Sequence, residues 1–148
     1  MSRENGIHKI EVHVAGFCFD LEREDGPRCL IAKRNPDRKI CPGVWECGGG
    51  QMKAGESFSE ALARQIYEEF GLEIAILFPF GEYFISTETG GIPGMKFVCS
   101  VEGEREVTLD KQEHSEYVWV SEADLDKYEF IPGVGDEIAE SFKILAEC

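Results

Sequence analysis

This chain predicts an α/β fold, a mixed β-sheet with helices on both sides. Three observations predict it. Short apolar strands recur between turn signals, one sharply punctuated helix sits near the middle, and a second helical periodicity closes the chain. At 148 residues the chain forms one domain, 1–148, and its 43% hydrophobic content is enough for a sizeable core.

The elements follow in order. Ile10, Val12 and Val14 alternate with polar residues before the apolar run Phe17-Cys18-Phe19, a first strand. His8 and His13 read as strand residues rather than ligands. Glu24-Asp25-Gly26-Pro27 is a turn, so Cys29–Ala32 returns as the second arm of a hairpin. Asn35-Pro36-Asp37 and Cys41-Pro42-Gly43 punctuate a loop. Val44–Cys47 is a short strand that enters a glycine loop, Gly48-Gly49-Gly50.

A helix then starts at Ser57. Ser57-Phe58-Ser59-Glu60 is a capping box, in which the Ser hydroxyl and the Glu carboxylate satisfy early orphan amides. Phe58, Leu62, Ile66 and Phe70 recur along one side as a buried stripe, and Gly71 suits the left-handed stop. Beyond it, Glu73–Phe80 reads as extended. Tyr83–Ser86 and Lys96–Cys99 read as strands around a glycine-rich turn, Gly90–Gly94. Tyr117–Val120 is a last strand, Ser121 caps a short helix through Leu125, and Ile138, Phe142 and Leu145 mark a terminal helix.

The chemistry concentrates on the central helix. Gln65, Glu68 and Glu69 are spaced to share a face, and Arg64 lies one turn before Glu68 and can hold that carboxylate. Clustered carboxylates repel one another unless a cation offsets them. Hard divalent cations prefer oxygen ligands, and magnesium is commonly held by a few carboxylates plus substrate phosphates. The preceding glycines permit close backbone approach.

The run Gly50-x5-Glu56-x7-Arg64-Gln65-Ile66-x-Glu68-Glu69-x-Gly71-Leu72 resembles the Nudix box, G-x5-E-x7-R-E-U-x-E-E-x-G-U, with U a bulky aliphatic. The single departure is Gln65 for the family's Glu. Gly43–Gly49 is similar to the lead-in G-x-W-x-x-P-G-G, with Gly48 for the proline. Glu113–Val120 is similar to a late segment, E-h-x-E-x-x-W-v. The resemblance implies a Nudix-type α/β/α sandwich and an enzyme that breaks diphosphate linkages with bound Mg2+, for which Mn2+ can substitute.

By that resemblance Gly49, Glu56, Glu68 and Glu69 match the metal-binding positions. Arg64, Gln65, Glu68 and Glu113 match the catalytic set, with Glu116 the neighbour of Glu113. A Gln keeps a ligand oxygen but cannot serve as a carboxylate base. Three readings of Gln65 stay open: Glu113 is the base and Gln65 is tolerated; the protein is a weak or binding-only relative; or position 65 carries an introduced change. Phe130–Asp136 lies where MutT-like members contact the base, so Asp136 is a substrate-binding candidate beside its plainer role as a helix N-terminal acid. Arg34 is placed to meet phosphates and Phe84 to stack on a base, while Trp45 is assigned to the core. The expected substrate is a small-molecule nucleotide, first a nucleoside triphosphate cleaved to nucleoside monophosphate and pyrophosphate. The alternatives are a nucleotide-binding protein with a weakened site, or a hydrolase of another nucleoside diphosphate derivative.

Composition narrows the partners. A net charge of −14 repels duplex DNA and long RNA, so no polymeric nucleic acid is expected. No run is long enough to span a bilayer, and Met1–Gly6 is too polar for a signal peptide, which makes the cytoplasm the default. The six cysteines form no C-x-x-C pair and read as reduced, partly buried thiols. Members of the resembled family are often dimers, so a homodimer is one expectation, although no interface signal stands out.

Overall fold

In a computed structural model that describes residues 9–148, the chain folds around one seven-stranded sheet. The readings of Met1–Gly6 and of His8 lie outside the described residues. The strands are β1 (His13–Asp20), β2 (Arg28–Arg34), β3 (Trp45–Glu46), β4 (Gly48–Gln51), β5 (Glu73–Thr87), β6 (Gly90–Glu102) and β7 (His114–Val120). Helix α1 spans Phe58–Phe70 and α2 spans Val134–Glu147. A 3-10 turn, Glu122–Lys127, stands where the short helix after Ser121 was expected.

The sheet is mixed because β1 is used twice. It runs parallel to β6, and its other edge is shared by β4 at residues 13–16 and β2 at residues 19–20, both antiparallel. Strand alternation then makes two cores. Val14, Cys18, Leu30, Ala32, Phe97, Cys99 and Val101 face α1 and meet Leu62, Ile66 and Phe70. Phe17, Phe19, Cys29, Ile31, Val98 and Val120 face the other way and meet Ile138 and Phe142 of α2. The sheet is therefore sandwiched between one helix on each face, as the sequence predicted. Complete burial of a side chain such as Leu62 contributes about 1.5–3 kcal/mol.

Helix α1 is built as its sequence implies. Ser57 accepts from the Glu60 amide, Glu60 accepts from the Ser57 amide, and Gly71 closes the helix at φ 71°. The stripe departs at its first member: Phe58, the first helical residue, is 43% exposed, with its ring tilted on Phe97 of β6 at 5.9 Å.

Two glycine-rich segments differ from expectation. Gly48–Gln51 is a strand paired with β1, not a loop. Gly90–Gly94 is the start of β6, paired throughout with the far end of β5. In both, side chains lie directly on the bare backbone. A Cβ at Gly48 would stand 2.7 Å from Ile66 Cδ1, and one at Gly91 or Gly94 would overlap the rings of Phe84 or Tyr83. Glycine marks contact here rather than a turn. All six cysteines are free thiols, Cys18, Cys29 and Cys99 among them fully buried.

Candidate active site

The candidate site lies where α1 crosses β4. Helix α1 sits so close to this strand that its glycines meet side chains from successive turns. A Cβ on Gly50 would lie 2.7 Å from the Gln65 amide, and one on Gly48 would lie 3.3 Å from Glu69 Oε1. At Gly49 a Cβ would run into the Val14 carbonyl, with Ala15 Cα at 2.7 Å. The segment is thus pressed between the helix and β1, and only glycine fits.

Arg64 organises the first half of the site. Its Nε donates to Glu56 at 2.6 Å, one terminal nitrogen donates to Glu68 at 3.2 Å, and the other donates to Glu56 and to the Gln51 carbonyl, each at 3.0 Å. The predicted Arg64–Glu68 contact is present, and the stronger hold is on Glu56. The hydrogen bond and charge of Arg64 bring the Glu56 carboxyl down to about 2. Gln65 Nε2 donates to the same Gln51 carbonyl at 3.0 Å. Its amide is therefore held at the mouth of the site by a bond that a carboxylate cannot make.

Glu69 behaves differently. It is only 7% exposed, and one oxygen faces the Gly49 amide at 3.4 Å. Burial pushes its carboxyl up to about 9; the Gly49 amide opposes this, while the negative charges of Glu46 and Glu113 add to it. Arg38 is the cation that offsets it. Thus Gln65, Glu68 and Glu69 do not present one uniform acidic face: Glu68 is half-exposed, whereas Glu69 is enclosed.

Glu113 reaches the site from the segment before β7. That segment is tied to the end of α1 by Thr108 N–H to Phe70 O at 2.8 Å and Asp110 N–H to Glu69 O at 3.0 Å. The Glu113 carboxylate accepts from Arg38. Glu116 instead meets Lys33 on the exposed side of β7, at 3.6 Å.

A buried polar triad stands behind the site. Arg34 is 9% exposed and donates to both oxygens of Glu46, at 3.0 and 3.1 Å, and to the Ile40 carbonyl at 3.0 Å. His114 Nε2 lies 2.8 Å from Glu46 Oε2, and its ring stacks on Phe70 with centroids 5.4 Å apart. His114 Nδ1 is buried without a hydrogen-bond partner among the described residues. The sequence reading missed Glu46 and His114 as partners. The available signal was parity: a charge at an inward position of an apolar strand, once in β2 and once in β3.

The structure brings Gly49, Glu56, Arg64, Gln65, Glu68, Glu69 and Glu113 to one region. It places Arg34 in the triad, where its guanidinium is committed to Glu46. Asp136 is exposed in the first turn of α2, on the opposite face of the sheet. Phe84 is 64% exposed on β5 and lines a groove of about 580 Å³ with Phe58, Val12 and Met95, at the other end of α1 from Glu69.

Among the described residues no three His, Cys, Asp or Glu side chains form a ready-made metal cage. The donors are nevertheless all oxygen, and Glu69 lies in a negative environment. That fits magnesium, which is usually bound by one or two carboxylates plus substrate phosphates rather than a closed protein site. Glu56, Glu68, Glu69 and the Gly49 carbonyl are the donors at hand. No described helix is long and apolar enough to cross a membrane.

One family's sequence model, described as NUDIX domain, matches residues 11–140. The chain is 31% identical over 144 residues to an isopentenyl-diphosphate Delta-isomerase of Kocuria rhizophila, covering 87% of this chain and 77% of that protein. It is 34% identical over 113 residues to the nucleoside triphosphatase NudI of Escherichia coli, covering 68% and 77%. Among solved structures it is similar to a MutT protein from Methanosarcina mazei, with a TM-score of 0.70 at 24% identity over 93% of this chain and 95% of that one. An Ap4A hydrolase from C. elegans superposes with a TM-score of 0.75 at 15% identity, over 94% and 100%. At such identities the structural likeness speaks for the α/β fold alone.

Proposed function

Because the chain belongs to the Nudix hydrolase family, as an enzyme of its pyrophosphohydrolase class, we propose that it hydrolyses a nucleoside triphosphate or related nucleotide with Mg2+, releasing nucleoside monophosphate and pyrophosphate. The observation that carries this reading is the arrangement at α1 and β4: Arg64 binds Glu56 and Glu68 together while Glu69 is enclosed against Gly49. The similarity to a nucleoside triphosphatase supports this choice of substrate class.

Bound magnesium supplies charge neutralisation on the diphosphate and a more acidic water. The protein's own residues do the rest. Arg64 fixes two carboxylates that would otherwise repel each other. Gly48–Gly50 let α1 and β1 close on β4, which holds Gln65 and Glu69 against that strand. Glu113 is the carboxylate free to take a proton from the attacking water once Arg38 turns to another anion, a role that Gln65 cannot fill.

A second reading has one observation in its favour. The apolar groove beside Phe58, Phe84 and Met95 suits a diphosphate ester with a hydrocarbon chain, the substrate class named for the relative from Kocuria rhizophila. A single panel separates the two. Canonical and oxidised nucleoside triphosphates, nucleotide sugars, dinucleoside polyphosphates and isopentenyl diphosphate are each incubated with magnesium, with Glu69→Gln as control. Nucleotide turnover that the control loses supports the first reading. Isomerised isopentenyl diphosphate with no nucleotide turnover replaces it with the second. Nucleotide binding without turnover makes the chain a binding protein.

A further inference from the structure

We infer that His114 is the positioning residue of Glu113: its ring, bonded to Glu46 and stacked on Phe70, fixes the strand end from which the Glu113 carboxylate reaches the site. This rests on the reading of Glu113 as the proton acceptor in the proposed hydrolysis.

Glu113 has little packing of its own to hold it. Its side chain is 42% exposed, and its carboxylate meets Arg38, itself 30% exposed. A general base nevertheless has to stand within hydrogen-bond reach of the water it activates. The next residue is the opposite case. His114 opens β7 and is 1% exposed, so a rigid, enclosed ring lies one peptide bond from the carboxylate.

Strand alternation alone does not turn His114 toward α1. Trp119 packs on the α1 core, so counting back by twos puts Tyr117 and Ser115 on that face and His114 on the other. The ladder between β2 and β7 breaks the count. Lys33 pairs with Glu116, but Arg34 pairs with His114, so Ser115 is an extra residue in the register. Such a bulge re-aims the side chains beyond it. It brings His114 onto the α1 face beside Arg34 and Glu46. There the Glu46 carboxylate, held by Arg34 through both oxygens, can only accept, so His114 Nε2 is the donor at 2.8 Å. Nδ1 is buried without a partner among the described residues. The orientation of the ring therefore hangs on one hydrogen bond and on the stack against Phe70. The amides of Glu113 and His114 both donate to the Asp110 carbonyl, each at 3.0 Å, so ring and carboxylate share one short, bonded turn.

The experiment is a kinetic cycle on the best substrate of the panel, with His114→Phe, His114→Asn, His114→Gln, Glu113→Gln and the double variant His114→Phe with Glu113→Gln. Phe keeps the stack and loses the donor. Asn is too short to reach Glu46, whereas Gln sets an amide nitrogen about where Nε2 stands. In the Phe and Asn proteins kcat should fall by about ten- to a hundredfold, the scale for a displaced reacting group, with KM changed far less. Gln should recover most of that loss. In the Glu113→Gln background, His114→Phe should cost no further turnover, because the carboxylate it acts through is already gone. Losses that multiply in the double variant overturn the inference, and so does a Gln protein no better than the Phe protein. Thermal midpoints accompany the cycle, and His114→Asn takes the place of Phe in the double variant if the Phe protein does not fold. Native turnover in Glu113→Gln removes the proton-acceptor reading and the role of His114 with it. A loss there beside native turnover in the Phe and Asn proteins removes the role of His114 alone. If no compound is turned over, hydrogen exchange at the Glu113 and His114 amides decides. Faster exchange in the Phe and Asn proteins than in the Gln protein keeps His114 as the anchor while the hydrolase reading falls, and equal exchange overturns the anchor as well.

Discussion

The two faces of the sheet are built from the same strands, yet they have different tasks. Toward α2 the inward residues are mostly apolar: Phe17, Phe19, Ile31, Val98 and Val120 meet Ile138 and Phe142, and the polar exceptions are Lys96, paired with Glu137, and Ser141, whose hydroxyl donates to the Glu137 carbonyl. Toward α1 the pattern holds at Val14, Leu62 and Phe97 and then breaks, so that Arg34, Glu46, Glu69 and His114 are buried or nearly so. Burying such groups is costly even when they are paired. Both faces have an apolar core, and the α1 face uses part of that stability to hold ionisable groups in place.

The sharpest way to break this contrast is to damage each face in turn. Phe142 is almost fully buried and packs edge-to-face on Phe19 at 4.9 Å. Phe142→Ala should cost about 3–5 kcal/mol of stability, with activity per folded molecule retained. Denaturant unfolding beside an assay well below the melting point would show this; a folded variant with lost turnover would mean that the two faces are not separable. On the α1 face the expectation reverses. Glu69→Gln should lower turnover by about 10²–10³-fold, the scale for losing one electrostatic group from a reacting centre, while the fold persists.

Glu69 also sharpens the contrast through pH. Its carboxyl stands at about 9 in the folded protein, against about 4.3 in an unfolded chain. Between these values the unfolded state gives up its proton and the native state keeps it. Stability of the metal-free protein from this group is complete below the unfolded value and is lost as pH rises toward 9, with a slope of at most about 1.4 kcal/mol per pH unit. Melting temperatures at pH 5, 7 and 9 test this, and Glu69→Gln should flatten the profile. An equal slope in that variant would assign the effect elsewhere.

The glycine strand gives a smaller and graded effect. At Gly49 an added Cβ meets the backbone of Val14 and Ala15, which cannot give way. At Gly50 it meets the end of the Gln65 side chain, which can. Gly49→Ala should cost about 1–3 kcal/mol and Gly50→Ala less. Chemical unfolding of the two proteins side by side decides it, and the reverse order would mean that β4 does not lie as closely on β1 as described.

What the sequence made legible follows from how local each signal is. Helix α1 was readable to its ends because its cap, its stripe and its stop are neighbours in the chain, and all three are in place apart from the exposed Phe58. Glu56, Arg64 and Glu68 are brought together by the same local geometry. The glycine segments were misread because the residues that explain them lie elsewhere: Ile66, Gln65 and Phe70 for β4, and Tyr83 and Phe84 for β6. The Arg34–Glu46–His114 triad joins three separate strands, β2, β3 and β7, and the pairing of Arg38 with Glu113 joins two loops. No spacing rule reaches either. Each left only a trace, a charge in an apolar strand or a cation in a proline-punctuated loop.

Gln65 is where the two tasks meet in one side chain, and its change should be the smallest. Its amide donates to the Gln51 carbonyl, which also accepts from Arg64. Gln65→Glu removes that donor and sets a carboxylate beside a carbonyl oxygen, a loss of about 1 kcal/mol in the metal-free protein. The same change adds a negative charge near Glu69, where magnesium has donors to use. The melting temperature without metal should fall slightly, and magnesium-dependent turnover should rise. The two readings move in opposite directions for one physical reason: the amide satisfies the resting fold, and a carboxylate satisfies the cation. Turnover unchanged by Gln65→Glu, measured beside the native protein over a magnesium titration, would show that position 65 has no essential acidic role, and the proton-accepting task would then rest on Glu113.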